Sequence, residues 1–463
     1  MPPHPPTSPT PRPGASRPGD GSNCGLRSPA PLAWIALYVG LAIFPLLLLL
    51  IGPVPRGGGL WWDFSMALGF AGLAIMGLQF VLTARFRRAF APFGVDIIYY
   101  FHRWVAVGGL ALIGAHYLII RILFPDSLGP ADPRYAPWHL TAGRLSAGLF
   151  VLLIVTSLWR KQLRMHYDGW RIGHAVMAVA AIVLAIIHVH GVGHYTAAPW
   201  KAVLWLAYSG AWLAVILHIR VIRPTLLLRQ PYRVTEILPE RGRAWTLTLI
   251  PERPPRLRFQ PGQFAWLSLG KSPFAAKEHP FSFSGSAEDP TALRFTIKEL
   301  GDFTRTIKDL PVGTLAYVDG PHGNFSTDTE SNAPGFVFVA GGVGLAPIMS
   351  MLRTLADRGD RRPMHLIYGA GTWDNVMFRD ELEALATRLD VRYTPVVELP
   401  PANWTGEAGL ITEELLRRVL PPEAAHYPCF LCGPKAMTDS VTSSLRRMGY
   451  PLRNLHTELF DMA

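Results

Sequence analysis

Two pairs of histidines stand inside stretches that otherwise read as membrane helix. His102 and His116 lie fourteen residues apart in "FHRWVAVGGLALIGAHYL", and His174 and His188 repeat that spacing in "GHAVMAVAAIVLAIIHVHGVGH". On an α-helix fourteen residues return to within about 40° of the starting face and climb about 21 Å. Each pair therefore shares one helix face and occupies two depths of a bilayer. An imidazole in hydrocarbon is costly and marks a bound group or a polar cavity. Two helices that each present a histidine at both depths are suited to grip two flat metal macrocycles from opposite faces, as axial haem ligands. A zinc site would need its ligands to converge at one depth. Four core histidines bonded to backbone carbonyls are the alternative, and the matched spacing argues against it. His190 is turned about 160° from His174, which makes His188 the better ligand. His190 and His194 fall at the outer rim, where they either line an acceptor pocket or are simply hydrated. Ligation by two histidines leaves no open iron position, so such haems suit electron transfer.

The elements that must carry these residues are long apolar runs. Spanning a bilayer takes about 20 apolar residues, and six candidates occur, at about 32–52, 64–84, 97–120, 143–159, 172–192 and 202–221. The fourth is the weakest, because its uncharged core runs only from Leu145 to Trp159. Arg85, Arg87 and Arg88 follow the second run, Arg160, Lys161, Arg164 and Arg171 separate the fourth from the fifth, and Arg220 and Arg223 end the sixth. The other loops are poorer in positive charge, so the positive-inside rule puts the N-terminus and the C-terminal half in the cytoplasm, with the spans in the cell (inner) membrane. Spans three and five then run in the same direction, and His102 and His174 share the cytoplasmic level while His116 and His188 share the outer one.

The whole chain of 463 residues is 49% hydrophobic and 17% charged, which fits a membrane part joined to a soluble part. Much of its net charge of +11 is accounted for by topology, and no nucleic-acid role is assigned to it. Cys24, Cys429 and Cys432 are too few for a disulfide framework and suit a reducing compartment. Residues 1–30 are rich in Pro, Gly, Ser and Thr and are expected to be a disordered tail.

Beyond Arg223 the pattern changes to short strand-like runs such as "YRVTEIL", "RAWTLTLI" and "PGQFAWLSL", which suggest a β-barrel. "HPFSFSG", "IKELGDFTRTI" and "GPHGNF" follow, and then "FVFVAGGVGLAPIMSML", an apolar strand that enters a glycine turn and leaves as a helix. Glycines allow a phosphate to approach the backbone, and the helix N-terminus offers free N–H groups. "PCFLCGPKAM" contains a C-x-x-C, which invites a thioredoxin-like reading.

Taken with the histidine pairs, these motifs resemble the ferric reductase and NADPH oxidase superfamily over about residues 32–463. The resemblance implies a multidomain chain: a disordered tail over 1–30, a six-helix transmembrane haem bundle over 31–225, an antiparallel β-barrel FAD-binding domain over 228–330, and an α/β NAD(P)-binding domain of ferredoxin-reductase type over 331–463. It implies that FAD is held by His279, Pro280, Phe281, Ser282 and Ser284, with Gly301 and Thr304 at its pyrophosphate and Gly320 and Gly323 in the turn that closes the barrel. Gly341, Gly342, Gly344 and Pro347 match the family's nicotinamide-nucleotide turn, and Cys432, Gly433 and Pro434 its nicotinamide site. Phe460 would lie against the flavin ring and Glu458 near the nicotinamide. Relatives often carry an arginine where Gly371 stands, so the donor is left as NADPH or NADH.

The expected function is a transmembrane oxidoreductase that passes electrons from cytoplasmic NAD(P)H through FAD and two b-type haems to ferric iron or molecular oxygen outside. Arg103 and Arg121 are candidates to pair with haem propionates, or are snorkelling side chains. Ile120 stands where some oxygen-reducing relatives have a polar residue. The alternative is a membrane electron-relay subunit serving a partner protein or quinone, against which the attached reductase motifs argue.

Overall fold

The computed structural model describes residues 31–51, 58–84, 95–254, 257–270, 272–274 and 278–459. The expected tail over 1–30, the loop arginines Arg85, Arg87 and Arg88, and Phe460 lie outside the described residues.

Among the described residues, five helices are long and apolar enough to cross a membrane. We label the helices α1 (Pro31–Leu50), α2 (Leu60–Thr83), α3 (Val95–Leu123), α4 (Trp138–Leu158), α5 (Tyr167–Val192) and α6 (Pro199–Leu217). The apolar part of α1 that is described, Leu32–Leu47, is shorter than the other five. The helix α4 begins at Trp138, ahead of the expected uncharged core, because Arg144 does not interrupt it. The Arg144 guanidinium donates to the carbonyls of Leu128, Gly129 and Pro130, so its charge is satisfied in the adjoining loop. After α6 the chain passes through one π turn, His218–Ile222, and a short helix, Arg223–Leu227, into the next unit.

The helices pack closely as α2 with α3 and α4 with α5. Small residues set this approach, as is usual where apolar surface alone cannot drive association. A Cβ at Gly72 would lie 2.8 Å from Ile113 across the α2–α3 contact. Across α4–α5 the Ser146 hydroxyl donates to the Ala181 carbonyl at 2.8 Å.

The soluble half opens with strands β1 (Tyr232–Glu240), β2 (Ala244–Pro251), β3 (Phe264–Leu269), β4 (His279–Ser282), β5 (Leu293–Lys298) and β6 (Leu315–His322). They form one antiparallel sheet in the order β4-β3-β6-β1-β2-β5. The sheet curls until its two edges touch beyond β4, where Phe283 bridges Phe295 and the Ser284 N–H donates to the Arg294 carbonyl at 2.8 Å. Its interior is apolar, with Val234, Leu247, Leu249, Leu267, Phe283 and Phe295 wholly buried.

A second unit follows: β7 (Phe336–Gly341), α7 (Leu345–Asp357), β8 (Met364–Thr372), α8 (Arg379–Arg388), β9 (Val391–Leu399), β10 (Glu407–Ala408), α9 (Glu413–Val419), β11 (Cys429–Gly433), α10 (Lys435–Arg447) and β12 (Leu455–Leu459). Its parallel sheet has the order β10-β9-β8-β7-β11-β12. Every residue of β7, "FVFVAG", is buried, as a central parallel strand covered on both faces requires. The chain runs outward from β7 through β8 and β9, then returns to place β11 on the other side of β7. The order therefore reverses between β7 and β11, and in open α/β sheets ligands bind at such a point beyond the carboxyl ends of the strands.

Candidate functional site

Of the four histidines, His102 and His174 are in ring contact. His102 is on α3 and His174 on α5, and their ring centroids stand 6.5 Å apart with the planes inclined at 63°. Two metal–nitrogen bonds of about 2 Å, plus the imidazole radius at each end, would separate ring centroids by about 6 Å. The inner pair therefore stands at the separation of two axial ligands on one metal. His116 and His188 lie within electrostatic range of each other at the second level. Among the described residues no three His, Cys, Asp or Glu side chains converge to hold a bare metal ion. Paired imidazoles with no third ligand fit a macrocycle that supplies its own equatorial nitrogens.

Neighbouring helices fix which nitrogen points inward for three of the four rings. His116 Nδ1 donates to the Ser65 carbonyl at 2.9 Å, and His188 Nδ1 donates to the His139 carbonyl at 3.0 Å. A carbonyl can only accept, so each Nδ1 carries the proton and each Nε2 keeps the lone pair a metal needs. Ser157 gives its hydroxyl proton to Leu153, and its oxygen lies 3.2 Å from His174 Nδ1, which imposes the same tautomer. Such outer partners orient metal-bound histidines. His102 Nδ1 is buried with no hydrogen-bond partner among the described residues. Glycines make room for the outer rings: a Cβ at Gly69 would lie 3.1 Å from the His116 ring, and one at Gly143 would lie 2.7 Å from His188 Nδ1.

At the end of the helices away from His102 and His174, His190 Nε2, His194 Nε2 and Thr141 Oγ1 are buried without hydrogen-bond partners among the described residues. His194 also packs edge-on against Tyr195, whose hydroxyl donates to Asp63 at 2.6 Å. Ile120 is buried, while Arg103 and Arg121 are exposed and Arg103 lies over the Trp104 ring.

The curled sheet presents a second site. His279 stacks on Phe303 with ring centroids 3.9 Å apart, and Phe281 lies nearly parallel to the same ring. His279, Pro280 and Phe281 remain partly exposed at the sheet edge, offering a flat, half-apolar ledge. Ser282 is buried, and Ser284 faces the sheet interior, where its hydroxyl accepts from Thr296 at 2.8 Å. Thr304 shapes the adjoining loop by accepting from the N–H groups of Leu300 and Gly301, each at 2.8 Å. Gly320 and Gly323 pack against Ala265 and Phe264, and Gly323 has the positive φ of 91° that a side chain resists.

At the third site the turn Gly342–Gly344 leads β7 into α7, with Pro347 in the first turn of that helix. A Cβ at Gly344 would run into the Cys432 carbonyl, and one at Gly433 would lie 3.0 Å from the Gly341 nitrogen. The glycine turn and Cys432-Gly433-Pro434 thus form one surface at the strand-order reversal, even though ninety residues separate them. Cys432 pairs in register with Glu458 on β12. Lys298, at the end of β5, was not singled out by the sequence; its Nζ stands 3.8 Å from the position a Cβ would take on Gly342. A cation over a glycine turn adds charge to a phosphate cradle.

The two cysteines of the C-x-x-C lie on opposite faces of the parallel sheet and in different parts of the core. Burial pushes the Cys429 thiol up to about 12. Burial, with the Glu458 carboxylate beside it, raises the Cys432 thiol as well. Both stay protonated near neutral pH, so neither is a thiolate nucleophile.

Three family models fall on these three sites in order. Residues 68–185 match the ferric reductase like transmembrane component, residues 243–324 the FAD-binding domain, and residues 338–443 the oxidoreductase NAD-binding domain. This order of domains matches the architecture of the ferric reductase and NADPH oxidase superfamily.

The matched domains indicate an NAD(P)H-dependent oxidoreductase, joined to helices that are long and apolar enough to cross a membrane. Its reductase half is 30% identical to ferredoxin–NADP reductase B of Sorangium cellulosum, a match that covers 44% of this chain and 86% of that protein. The reductase component of propane 2-monooxygenase from Rhodococcus jostii is 30% identical, over 49% of this chain and 62% of the relative. NADH-cytochrome b5 reductase 1 of Laccaria bicolor is 33% identical over 35% and 54%. The chain thus spans less than two thirds of these last two relatives. Among solved structures, the FAD/NAD-binding domain of nitric oxide dioxygenase from Vibrio cholerae is 20% identical, with a TM-score of 0.45 over 50% of this chain and 98% of that one.

Proposed function

We propose that this protein carries electrons from NAD(P)H on the cytoplasmic side, through FAD and two b-type haems, to a small acceptor outside, either ferric iron or molecular oxygen. The observation that carries the reading is the inner histidine pair, 6.5 Å apart on two separate helices. His102 and His174 would hold the inner haem, and His116 and His188 the outer. Ser157, Ser65 and His139 would keep the ligating nitrogens aimed inward. When bound, FAD would supply the conversion from two-electron to one-electron transfer, and the haems a one-electron relay.

The remaining residues bind and orient. His279, Pro280, Phe281, Ser282 and Ser284 would hold the flavin, with Gly301, Thr304, Gly320 and Gly323 shaping the surrounding loops. Gly341, Gly342, Gly344 and Pro347 would admit the dinucleotide phosphates, assisted by Lys298. Cys432, Gly433, Pro434 and Glu458 would border the nicotinamide, with Phe460 over the flavin. Cys432 would act as a neutral, close-packed wall, consistent with its buried thiol. At the outer end His190 and His194 would face the acceptor with their unpartnered nitrogens.

In this reading α1 is a sixth span and the curled sheet is the flavin-binding barrel. The haem bundle occupies 31–225, the flavin domain 228–330 and the nucleotide domain 331–463. Loop charge supports a cytoplasmic reductase half in the cell membrane.

The test is His174→Leu in the full-length chain, in detergent. The expected result is loss of one haem per chain, flavin still bleached anaerobically by NADPH, and the remaining haem reduced only by dithionite. Rapid reduction of that haem by NADPH would overturn the proposed order. In the unaltered protein, reoxidation of the haems by ferric chelate without air, compared with air alone, identifies the acceptor.

A further inference from the structure

The flavin-side strands β4, β3 and β6 are fastened to the membrane helices by two charged contacts that no sequence motif announces. Arg171 lies three residues before His174 on α5, and its Nη1 donates to Glu278 Oε1 at 3.2 Å. Glu278 immediately precedes His279, the first residue of β4. The two side chains are only 16% and 27% exposed. The second contact is built on Arg223, just past α6. Its Nε donates to Asp319 Oδ1 at 2.8 Å, Nη2 lies 3.3 Å from His322 Nε2, and Nη1 donates at 3.3 Å to the Ala84 carbonyl that follows α2. Asp319 and His322 both belong to β6. Between the two contacts Ile98, Phe264 and Trp266 form a small buried patch with Leu82 and Tyr99 packed on it.

We propose that Arg171–Glu278 and Arg223–Asp319 form a clamp that sets the pose of the flavin domain beneath the inner histidine pair, with Arg171 the positioning residue for the flavin-to-haem step. This rests on the electron-relay reading above. An interface within one chain permits domain motion unless it is large and apolar. Here the apolar patch is small and lacks direction, whereas charge-assisted hydrogen bonds have geometry. Exposed ion pairs contribute little, but these are largely buried, so removing one partner strands the other. His174 lies three helical steps beyond Arg171, a rise of about 4.5 Å. Glu278 directly adjoins the flavin strand. The ion pair is thus the short link between the two cofactor sites.

The test uses the full chain loaded with FAD and haem, mixed anaerobically with NADPH, with the flavin and haem bands followed separately. Arg171→Gln should leave flavin bleaching within about twofold and slow haem reduction about tenfold or more, as misplacement of a reacting pair does. Arg171→Glu should be slow in the same way, and Arg171→Glu combined with Glu278→Arg should regain most of the lost rate. Independently of the cofactors, hydrogen exchange of the apo chain should quicken in β3 and β6 of Arg171→Gln and Arg223→Gln while β7 and β11 are unchanged. Unaltered haem reduction and unaltered exchange in both variants would overturn the clamp, as would a charge swap as slow as the single change. If the unsubstituted protein binds no haem, the relay reading fails, and the exchange result still decides whether the clamp exists.

Discussion

His188 lies against Gly143 of the neighbouring helix so closely that a Cβ there would fall 2.7 Å from its Nδ1. The same ring nitrogen donates to the His139 carbonyl, one turn earlier on α4. Backbone and ring are thus in contact along one turn. Gly143→Ala should push the ring from its place at a cost of about 1–3 kcal/mol, the usual range for overpacking. The expected readout is selective loss of one haem, measured as haem per chain, with the His102–His174 level retained. A Gly143→Ala protein with full haem content would separate the glycine from any role in seating the ligand.

Ser157 and Ser65 support their histidines unequally. Among the described residues Ser157 is the one hydroxyl bonded to His174 Nδ1, whereas His116 Nδ1 retains the Ser65 carbonyl when the Ser65 hydroxyl is removed. Ser157→Ala should weaken haem retention by about 10-fold or more, the scale of outer-partner losses at metal sites. Ser65→Ala should change it far less. Haem transfer to an excess of apomyoglobin measures both, and equal rates for the two variants would contradict the assignment.

Lys298 over Gly342 predicts a kinetic signature. Lys298→Gln should raise KM for NAD(P)H about tenfold while kcat stays within twofold, since a phosphate contact acts on substrate and transition state alike. FAD content should not change. A fall in kcat at constant KM would place Lys298 in the chemistry instead.

Buried thiols make alkaline pH unfavourable to the nucleotide domain. The folded pKa of Cys429 is raised to about 12, so between the ordinary thiol value and that point the unfolded chain releases a proton that the folded chain keeps. Stability therefore falls as pH rises through this window, by about 4 kcal/mol at its upper end. Thermal melts followed by flavin fluorescence should drop more steeply with pH for the natural protein than for Cys429→Ala. In the folded protein near neutral pH, Cys429 and Cys432 should resist iodoacetamide.

Much of this was legible in the sequence because the signals are periodic or local. The fourteen-residue histidine spacing follows from helix geometry alone, and "GGVGLAP" and "CGP" are contiguous turns whose meeting at β7 and β11 follows from the parallel sheet. The groups that fix the histidine tautomers were not legible. Ser65, Ser157 and His139 come from other helices, at separations of 51, 17 and 49 residues, and carry no pattern relative to the rings they serve. Arg171 and Glu278 are 107 residues apart, and each looks like an ordinary surface charge until the sheet docks. The fourth helix extends beyond its uncharged core because Arg144 is satisfied by loop carbonyls, which sequence alone does not distinguish from a charge that ends an apolar run.

The most direct test of the central claim is the haem count of the purified chain, taken with its optical spectrum before and after anaerobic NADPH. The account predicts two low-spin b-type haems per polypeptide, both reduced by NADPH through the flavin, and neither retained in a His102→Leu/His116→Leu double variant. A colourless protein, or a double variant that still binds two haems, would contradict it.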